Sequence, residues 1–144
     1  MPELVLTVQY GVRPDRLPSR PKLRRWTRAA LRRDAYVTLR IAGAREARRL
    51  NRCFRGRDYA TNVLTFVYRA RRPLHGDIVL CAPVVAREAR QRGIGADAHY
   101  AHLVVHGVLH LQGHDHLRAR EARQMERRET RILAKLGYAD PYQA

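Results

Sequence analysis

The sequence predicts an α+β fold, in which a single domain holds a small mixed sheet of about four strands packed against about five helices. Three observations support this prediction. The chain has 144 residues, the length of one ordinary domain with its own core. Four short segments have the alternation or the composition of strands. Five longer segments have the apolar spacing of helices, and three of them lie in the second half of the chain.

The strands are expected at four places. Leu4, Leu6, Val8 and Tyr10 alternate with polar or small residues, as in a strand with one buried face. The same alternation recurs at 37–41. The runs VLTFVY (63–68) and GDIVLC (76–81) are rich in β-branched and aromatic residues, and the arginine-rich RARRPLH (69–75) is expected to be the turn between them.

The helices are expected in the remaining segments. The first is amphipathic with a polybasic outer surface, the second stops at Gly56, and the third is opened by Pro83. The fourth is apolar enough to be a buried central element, with Asp97 as its expected N-cap, and the fifth is charged and amphipathic. The expected ranges are 22–33, 44–54, 83–92, 97–112 and 117–136.

Charge and cysteine content restrict the function. The formal net charge of +16 favours a polyanionic partner such as nucleic acid, although a merely solvated basic surface is the alternative. No apolar run reaches the roughly 20 residues of a membrane span, and the N-terminus has no signal-peptide pattern. Cys53 and Cys81 form no pair motif, which fits a reducing compartment. We therefore expect a cytoplasmic protein.

The segment HGVLHLQGHDH (106–116) contains four of the seven histidines. On a helix, His106 and His110 project from one face with their Cβ atoms about 5–6 Å apart. Gly113 permits a tight exit from the helix, after which His116 can approach the same point. Three imidazoles would fill three corners of a zinc tetrahedron and leave the fourth for water, as in catalytic zinc sites. The sequence thus predicts a metal site at the C-terminal end of the central helix.

Other assignments of this segment remain open. Any single histidine on an apolar helix is more often a hydrogen-bonded core residue than a metal ligand. His102, one turn earlier, and His114, in the turn, are alternative ligands ranked below the main three. Asp115 either accepts a hydrogen bond that orients an imidazole, contributes to proton transfer, or stabilises the turn.

The spacing nearly matches the His-Glu-x-x-His-x-x-Gly-x-x-His signature of metal-dependent peptidases. Their glutamate follows the first histidine and acts as the general base. Gly107 occupies that position and has no side chain to accept a proton. Peptide hydrolysis by that mechanism is therefore disfavoured, while metal-assisted attack on a phosphodiester remains open.

The segment LNRCFRGRDYATNVLTF (50–66) is the second candidate for function. Arg55 lies beside the helix-breaking Gly56, where a guanidinium could project into a cleft and hold a phosphate with two parallel hydrogen bonds. The alternative is that Arg55 is an ordinary solvated charge, like the neighbouring Arg52 and Arg57.

Four further residues have simpler expected roles. Thr61 and Asn62 are expected to shape the turn into the strand. Asp77 is expected to support a loop or to accept a hydrogen bond from an arginine. Cys81 is expected to be a buried residue of the core.

Taken together, these two segments and GDIVLC (76–81) resemble the YbeY family of bacterial rRNA maturation factors, which are single-strand-specific, metal-dependent endoribonucleases. The resemblance covers nearly the whole chain. It implies that His106, His110 and His116 bind one Zn²⁺ per chain and that Arg55 is needed for activity on RNA. It also implies roles in 16S rRNA 3′-end maturation and ribosome quality control. Two local departures are His114, where the motif more often has tyrosine, and the unusually basic RARRPLH.

The leading hypothesis is therefore a single endoribonuclease domain (1–144) that depends on zinc, with no general base assigned. Its expected partners are single-stranded RNA, rRNA of the small ribosomal subunit and ribosomal proteins, with neither DNA nor a membrane among them. The main alternative is a non-catalytic rRNA-binding assembly factor in which zinc is structural. A second alternative is a peptidase or other small-molecule hydrolase, against which Gly107 argues.

Overall fold

The computed structural model describes residues 2–113 and 118–143. Within these ranges it contains four strands and five helices, which confirms the predicted α+β class. Their bounds are β1 (Leu4–Tyr10), α1 (Arg20–Ala30), β2 (Ala35–Ala42), α2 (Ala44–Arg55), β3 (Val63–Arg69), β4 (Leu74–Cys81), α3 (Ala82–Arg92), α4 (Ala96–Leu111) and α5 (Ala119–Lys135). None of the helices in these ranges is long and apolar enough to span a bilayer.

The four strands form one mixed sheet in the order β1-β2-β4-β3. Strands β1, β2 and β4 are parallel, because α1 returns the chain from the end of β1 to the start of β2, and β3 returns it to the start of β4. Strand β3 runs antiparallel to β4, with Phe66 opposite Asp77. One side of β3 is consequently an edge of the sheet, and this edge lies beside the C-terminal end of α2.

The two faces of the sheet bury cores of different size. Side chains such as Leu39 and Ile78 point to the face covered by α1 and α4 and are fully buried there with Trp26 and Leu109. Each fully buried side chain of this kind contributes about 1.5–3 kcal/mol relative to exposure. The opposite face carries a small cluster of Ala42, Leu64 and Val79, against which Leu50 and Phe66 pack. The large core fixes α4, and the small cluster fixes α2.

Helix α4 is the central helix predicted from its apolar composition. Its leucines and valines are buried on almost every side, while His102, His106 and His110 form a partly exposed stripe along it. Gly107 lies against the sheet, where an added Cβ would be 3.1 Å from Ile78 Cδ1. The glycine thus allows α4 to pack close to β4, and the histidine stripe reaches the edge of the sheet.

The prediction that Asp97 caps α4 is wrong. The N-cap is Gly95, which makes no side-chain capping bond, and Asp97 lies in the first turn. Its carboxylate instead accepts a hydrogen bond from Lys22 Nζ of α1 at 2.6 Å. The turn between β3 and β4 is also shorter than expected, because β3 extends through Arg69 and β4 begins at Leu74. In the first place the carboxylate binds a residue of another helix, and in the second the pairing of β3 with β4 continues to Arg69 and His75.

Candidate active site

His106 and His110 lie in the last two turns of α4 and open into one cleft. The cleft has a volume of about 270 Å³ and is also lined by Arg55, Asn62 and Thr65. The two imidazoles come from the helix, Arg55 comes from the end of α2, and Thr65 comes from the edge strand β3. The structure therefore brings together the two candidate segments, which are about 50 residues apart in the sequence.

A buried carboxylate supports the histidine stripe from behind. Glu129 of α5 is only 1% exposed, and its Oε2 lies 3.3 Å from Nδ1 of His106. Its Oε1 lies 2.8 Å from Nε2 of His102 and accepts a hydrogen bond from the Tyr142 hydroxyl at 2.7 Å. Tyr142 belongs to the C-terminal segment, so this segment also contacts the network.

The protonation of Glu129 follows from these partners. Burial alone would raise the pKa of this carboxyl, but hydrogen bonds from His102, His106 and Tyr142 outweigh burial and lower the pKa to about 2. An ionised carboxylate only accepts hydrogen bonds, so Nδ1 of His106 must carry the proton that it donates. A histidine fixed in this tautomer binds a metal through Nε2, and carboxylates commonly orient metal-binding histidines in this way.

Arg55 is held at the mouth of the cleft by local geometry. Gly56 follows it in the left-handed conformation (φ 70°), which ends α2 and turns the chain away. The guanidinium donates a hydrogen bond to the carbonyl of Thr65 on the edge of β3. It also lies over the ring of Phe66, with Cζ 5.1 Å from the ring centroid. The interpretation of Arg55 as a residue that projects into a cleft is thus consistent with its position.

A second, wider cleft adjoins the first. It has a volume of about 660 Å³, and Arg55, Thr65 and His110 line both clefts. Its aromatic residues are Phe54, Phe66 and Tyr68.

The two acidic residues that line this wider cleft are engaged by neighbouring side chains. Glu46 accepts two hydrogen bonds from Arg40, at 2.6 and 2.8 Å, and Asp77 accepts one from Tyr68 at 2.8 Å. Arg55 lines both clefts and supplies positive charge where they meet.

The remaining sequence predictions have mixed outcomes. His116, the third predicted ligand, lies outside the described residues, as do His114 and Asp115. Among residues 2–113 and 118–143, no three His, Cys, Asp or Glu side chains form a group able to hold a metal. Gly113 has the left-handed conformation (φ 94°) that was expected of it.

The residues expected to have structural roles mostly have them. Asn62 donates to Glu88 at 3.0 Å, and its carbonyl accepts from the Cys81 amide at 2.9 Å. Cys81 is fully buried, as expected. Within the described ranges, the partner found for Asp77 is Tyr68 rather than an arginine.

Glu129 and Tyr142 were not predicted from the sequence as functional residues. A signal for Glu129 was present, because it lies four residues after Met125 and four before Leu133, both fully buried on the inner face of α5. A glutamate in the middle of an apolar stripe requires a partner, since an unpaired buried charge is costly. No comparable signal marks Tyr142.

The fold and the site define an α+β domain in which paired histidines and an arginine face a common open cleft. A match to the endoribonuclease YbeY family covers residues 20–137. The chain belongs to this family. The family and the enzyme class predicted from the sequence, a nuclease that hydrolyses phosphodiester bonds, are thereby confirmed, and membership implies a metal-dependent enzyme.

Curated relatives and a solved structure agree with this assignment. The endoribonuclease YbeY of Aromatoleum aromaticum is 57% identical over 142 residues, covering 96% of this chain and 92% of the relative. That of Nitrosomonas europaea is 56% identical over 140 residues, covering 97% and 85%. A solution structure of a Thermotoga maritima protein has the same fold, with a TM-score of 0.60 at 22% identity, covering 97% of this chain and all of the other.

Proposed function

We propose that the whole chain, residues 1–144, is one zinc-dependent endoribonuclease domain that cuts single-stranded RNA. Its proposed biological role is 3′-end maturation of 16S rRNA and quality control of ribosomes. The observation that carries the proposal is that His106, His110 and Arg55 line one cleft although they come from two distant helices. Such a cleft combines metal ligands with a phosphate-binding cation.

The donor set fits zinc. His106 and His110 are spaced one helical turn apart, and Glu129 fixes the tautomer of His106 that binds through Nε2. We propose His116 as the third ligand, on the sequence spacing alone, and one Zn²⁺ per chain. Zinc held there would supply Lewis-acid chemistry and would activate water near neutral pH.

His102 has a different role in this proposal. Its Nε2 is 2.8 Å from Glu129 Oε1 and 3.2 Å from the Tyr142 hydroxyl, so this nitrogen is committed to hydrogen bonding. A fourth protein ligand would favour a structural zinc ion. The hydrogen bonds of His102 Nε2 argue against this nitrogen as that fourth ligand. In this proposal the fourth position of the zinc is left to water.

Arg55 is proposed to bind the scissile phosphate and to stabilise negative charge as it grows during cleavage. A guanidinium has five N–H donors, and the described contacts use two of its nitrogens, for the carbonyls of Thr65 and Phe54. The remaining donors suit two phosphate oxygens. Gly107 leaves the general-base position of the peptidase motif empty, which supports RNA rather than peptide as the substrate.

The partners follow from charge and shape. A net charge of +16 suits the phosphate backbone of RNA, and an open cleft suits a single strand, whose backbone bends and whose bases are unstacked. We propose small-subunit rRNA as the substrate, with ribosomal proteins as further contacts and no role for DNA. Both cysteines are free, which fits the reducing cytoplasm.

The proposal is tested by cleavage of a defined single-stranded RNA that carries the 3′ end of 16S rRNA. We expect the purified protein to cut it, to lose activity on dialysis against a chelator and to recover activity with zinc. The same sequence in a duplex should remain intact. Retention of zinc together with RNA binding but without cleavage would instead support the non-catalytic assembly factor.

A further inference from the structure

The wider cleft beside Arg55 contains an exposed phenyl ring. Phe54, in the last turn of α2, is 62% exposed, and its ring meets Phe66 edge to face, with centroids 5.5 Å apart. Phe66 is itself partly buried against the small cluster under α2. Packing against Phe66 therefore holds the Phe54 ring in place, while much of the ring remains open to solvent. Val67 and Tyr68, which line the same cleft, are also exposed, and an exposed apolar patch of this kind commonly marks a contact surface.

The neighbours of Phe54 indicate what kind of ligand this surface takes. Arg55 follows Phe54 directly in the sequence and lies over the ring of Phe66. A planar ring next to a cation matches one nucleotide, whose base stacks on the ring while its phosphate pairs with the guanidinium. The charge of Glu46 is compensated by Arg40, whereas Asp77 accepts a hydrogen bond from the neutral Tyr68 hydroxyl and keeps its charge.

We infer that Phe54 forms a nucleobase-stacking subsite for the nucleotide next to the phosphate held by Arg55. His110 and Arg55 line both clefts, so a strand that reaches the histidines with its phosphate passes Phe54 with its base. The subsite selects unpaired bases, because a base within a duplex has no open face for the ring. This inference rests on the proposed function, and it assigns the preference for single strands to a particular residue.

Three variants separate stacking from other forms of contact. Phe54→Leu keeps an apolar side chain and removes the aromatic face, whereas Phe54→Trp keeps and enlarges that face. Tyr36→Leu is the matched control, because Tyr36 is 51% exposed and is not among the residues that line either cleft. The only tryptophan of the parent chain, Trp26, is 1% exposed, so a tryptophan at position 54 reports on its own surroundings.

The experiment measures binding of a 2′-O-methylated oligoadenylate to the zinc-loaded proteins, with a gel to check that the oligonucleotide stays intact. Phe54→Leu should weaken binding about tenfold or more, whereas Phe54→Trp and Tyr36→Leu should bind like the parent chain. Fluorescence of Phe54→Trp should be quenched by the oligoadenylate and not by an abasic strand of the same length.

Parent-like binding by Phe54→Leu would overturn the stacking subsite while leaving the proposed nuclease function intact. If, in addition, the abasic strand quenches the fluorescence of Phe54→Trp, then the residue at position 54 contacts the backbone or offers only an apolar surface, as it would to a peptide. This result also overturns the stacking subsite. Absence of both binding and cleavage in the parent chain would overturn the proposed function together with this inference.

Discussion

Oε2 of the buried Glu129 lies 3.3 Å from Nδ1 of His106, so a carboxylate on α5 fixes a histidine on α4. The sequence patterns of these two helices do not predict a contact between them. The contact of Glu129 with His106 defines the tautomer of the histidine that lines the cleft, and it places a negative charge directly behind the proposed zinc ligand.

The first prediction concerns this contact. Glu129→Gln preserves the size of the side chain but removes the charge that fixes the His106 tautomer. We expect the affinity for zinc to fall about 10–100-fold. Competition with a chromogenic chelator measures the affinity, and circular dichroism checks that the variant is folded. Glu126→Gln, one turn earlier on the same helix, is the matched control and should bind zinc like the parent. Equal zinc affinities of Glu129→Gln and the parent would refute the orienting role.

The second prediction concerns Gly107, the position at which the peptidase motif carries its base. An added Cβ there would be 3.1 and 3.3 Å from atoms of the fully buried Ile78 and 3.4 Å from Cγ2 of the partly buried Thr65. Gly107→Glu should therefore lower the free energy of unfolding by about 3 kcal/mol, through overpacking and a buried charge. Urea denaturation measures the loss.

Gly95→Glu is the matched control on the same helix. An added Cβ at Gly95 meets no atom of the described residues within 4 Å, and its φ of −66° suits any residue. We expect its free energy of unfolding to lie within about 1 kcal/mol of the parent, since surface substitutions usually have small effects. Equal stability of the two variants would show that Gly107 is not needed for packing.

Features that depend on local sequence patterns could be predicted, whereas features that depend on contacts between distant residues could not. Histidine spacing on α4 and the breaking glycine after Arg55 are local signals, and the described residues of both candidate segments, 50–66 and 106–113, lie where local periodicity placed them. The sheet order and the edge position of β3 depend on long-range pairing, which local patterns do not encode. Asp97 was misjudged because Lys22, 75 residues away, binds its carboxylate. The partners of Glu129 could not be predicted for the same reason, since they are on another helix and in the C-terminal segment, although its place in the apolar stripe of α5 is visible in the sequence.

A third prediction concerns pH and the contact between α3 and α4. Nε2 of the buried His99 is 2.8 Å from Glu88 Oε1. Burial lowers the pKa of His99 and outweighs the opposing effect of Glu88. For Glu88, burial acts to raise the pKa, but the hydrogen bonds from His99 and Asn62 outweigh it and lower the pKa. Both shifts are consistent with a neutral His99 donating to an ionised Glu88.

The sign of the pH dependence follows from these directions. Below the unfolded pKa of His99, near 6.5, the unfolded chain binds more protons than the folded chain, so stability falls as pH falls. Glu88 adds to the loss below about 4.5. The urea midpoint, measured with a chelator present, should therefore drop between about pH 7 and pH 5, and His99→Gln should show a shallower drop. Identical pH profiles of the two proteins would contradict this account.

A fourth prediction separates the role of Arg55 in cleavage from the binding of zinc. Arg55→Glu should retain zinc, because Arg55 is not a ligand, yet RNA cleavage should fall at least about 100-fold through loss of charge stabilisation. Arg52→Glu, an exposed residue one turn earlier on α2, should cleave within a few-fold of the parent at saturating RNA. Zinc content and cleavage rate are measured on the same preparations. Similar cleavage rates of the two variants would show that Arg55 is an ordinary solvated charge with no specific role in cleavage.

The central claim is that imidazoles at the end of α4 hold the metal that cleaves RNA. The most direct test measures zinc per chain and cleavage of single-stranded RNA for the parent and His110→Ala. We expect one zinc per chain and cleavage in the parent, and the loss of both together in His110→Ala. Undiminished cleavage by a metal-free His110→Ala preparation would contradict the account.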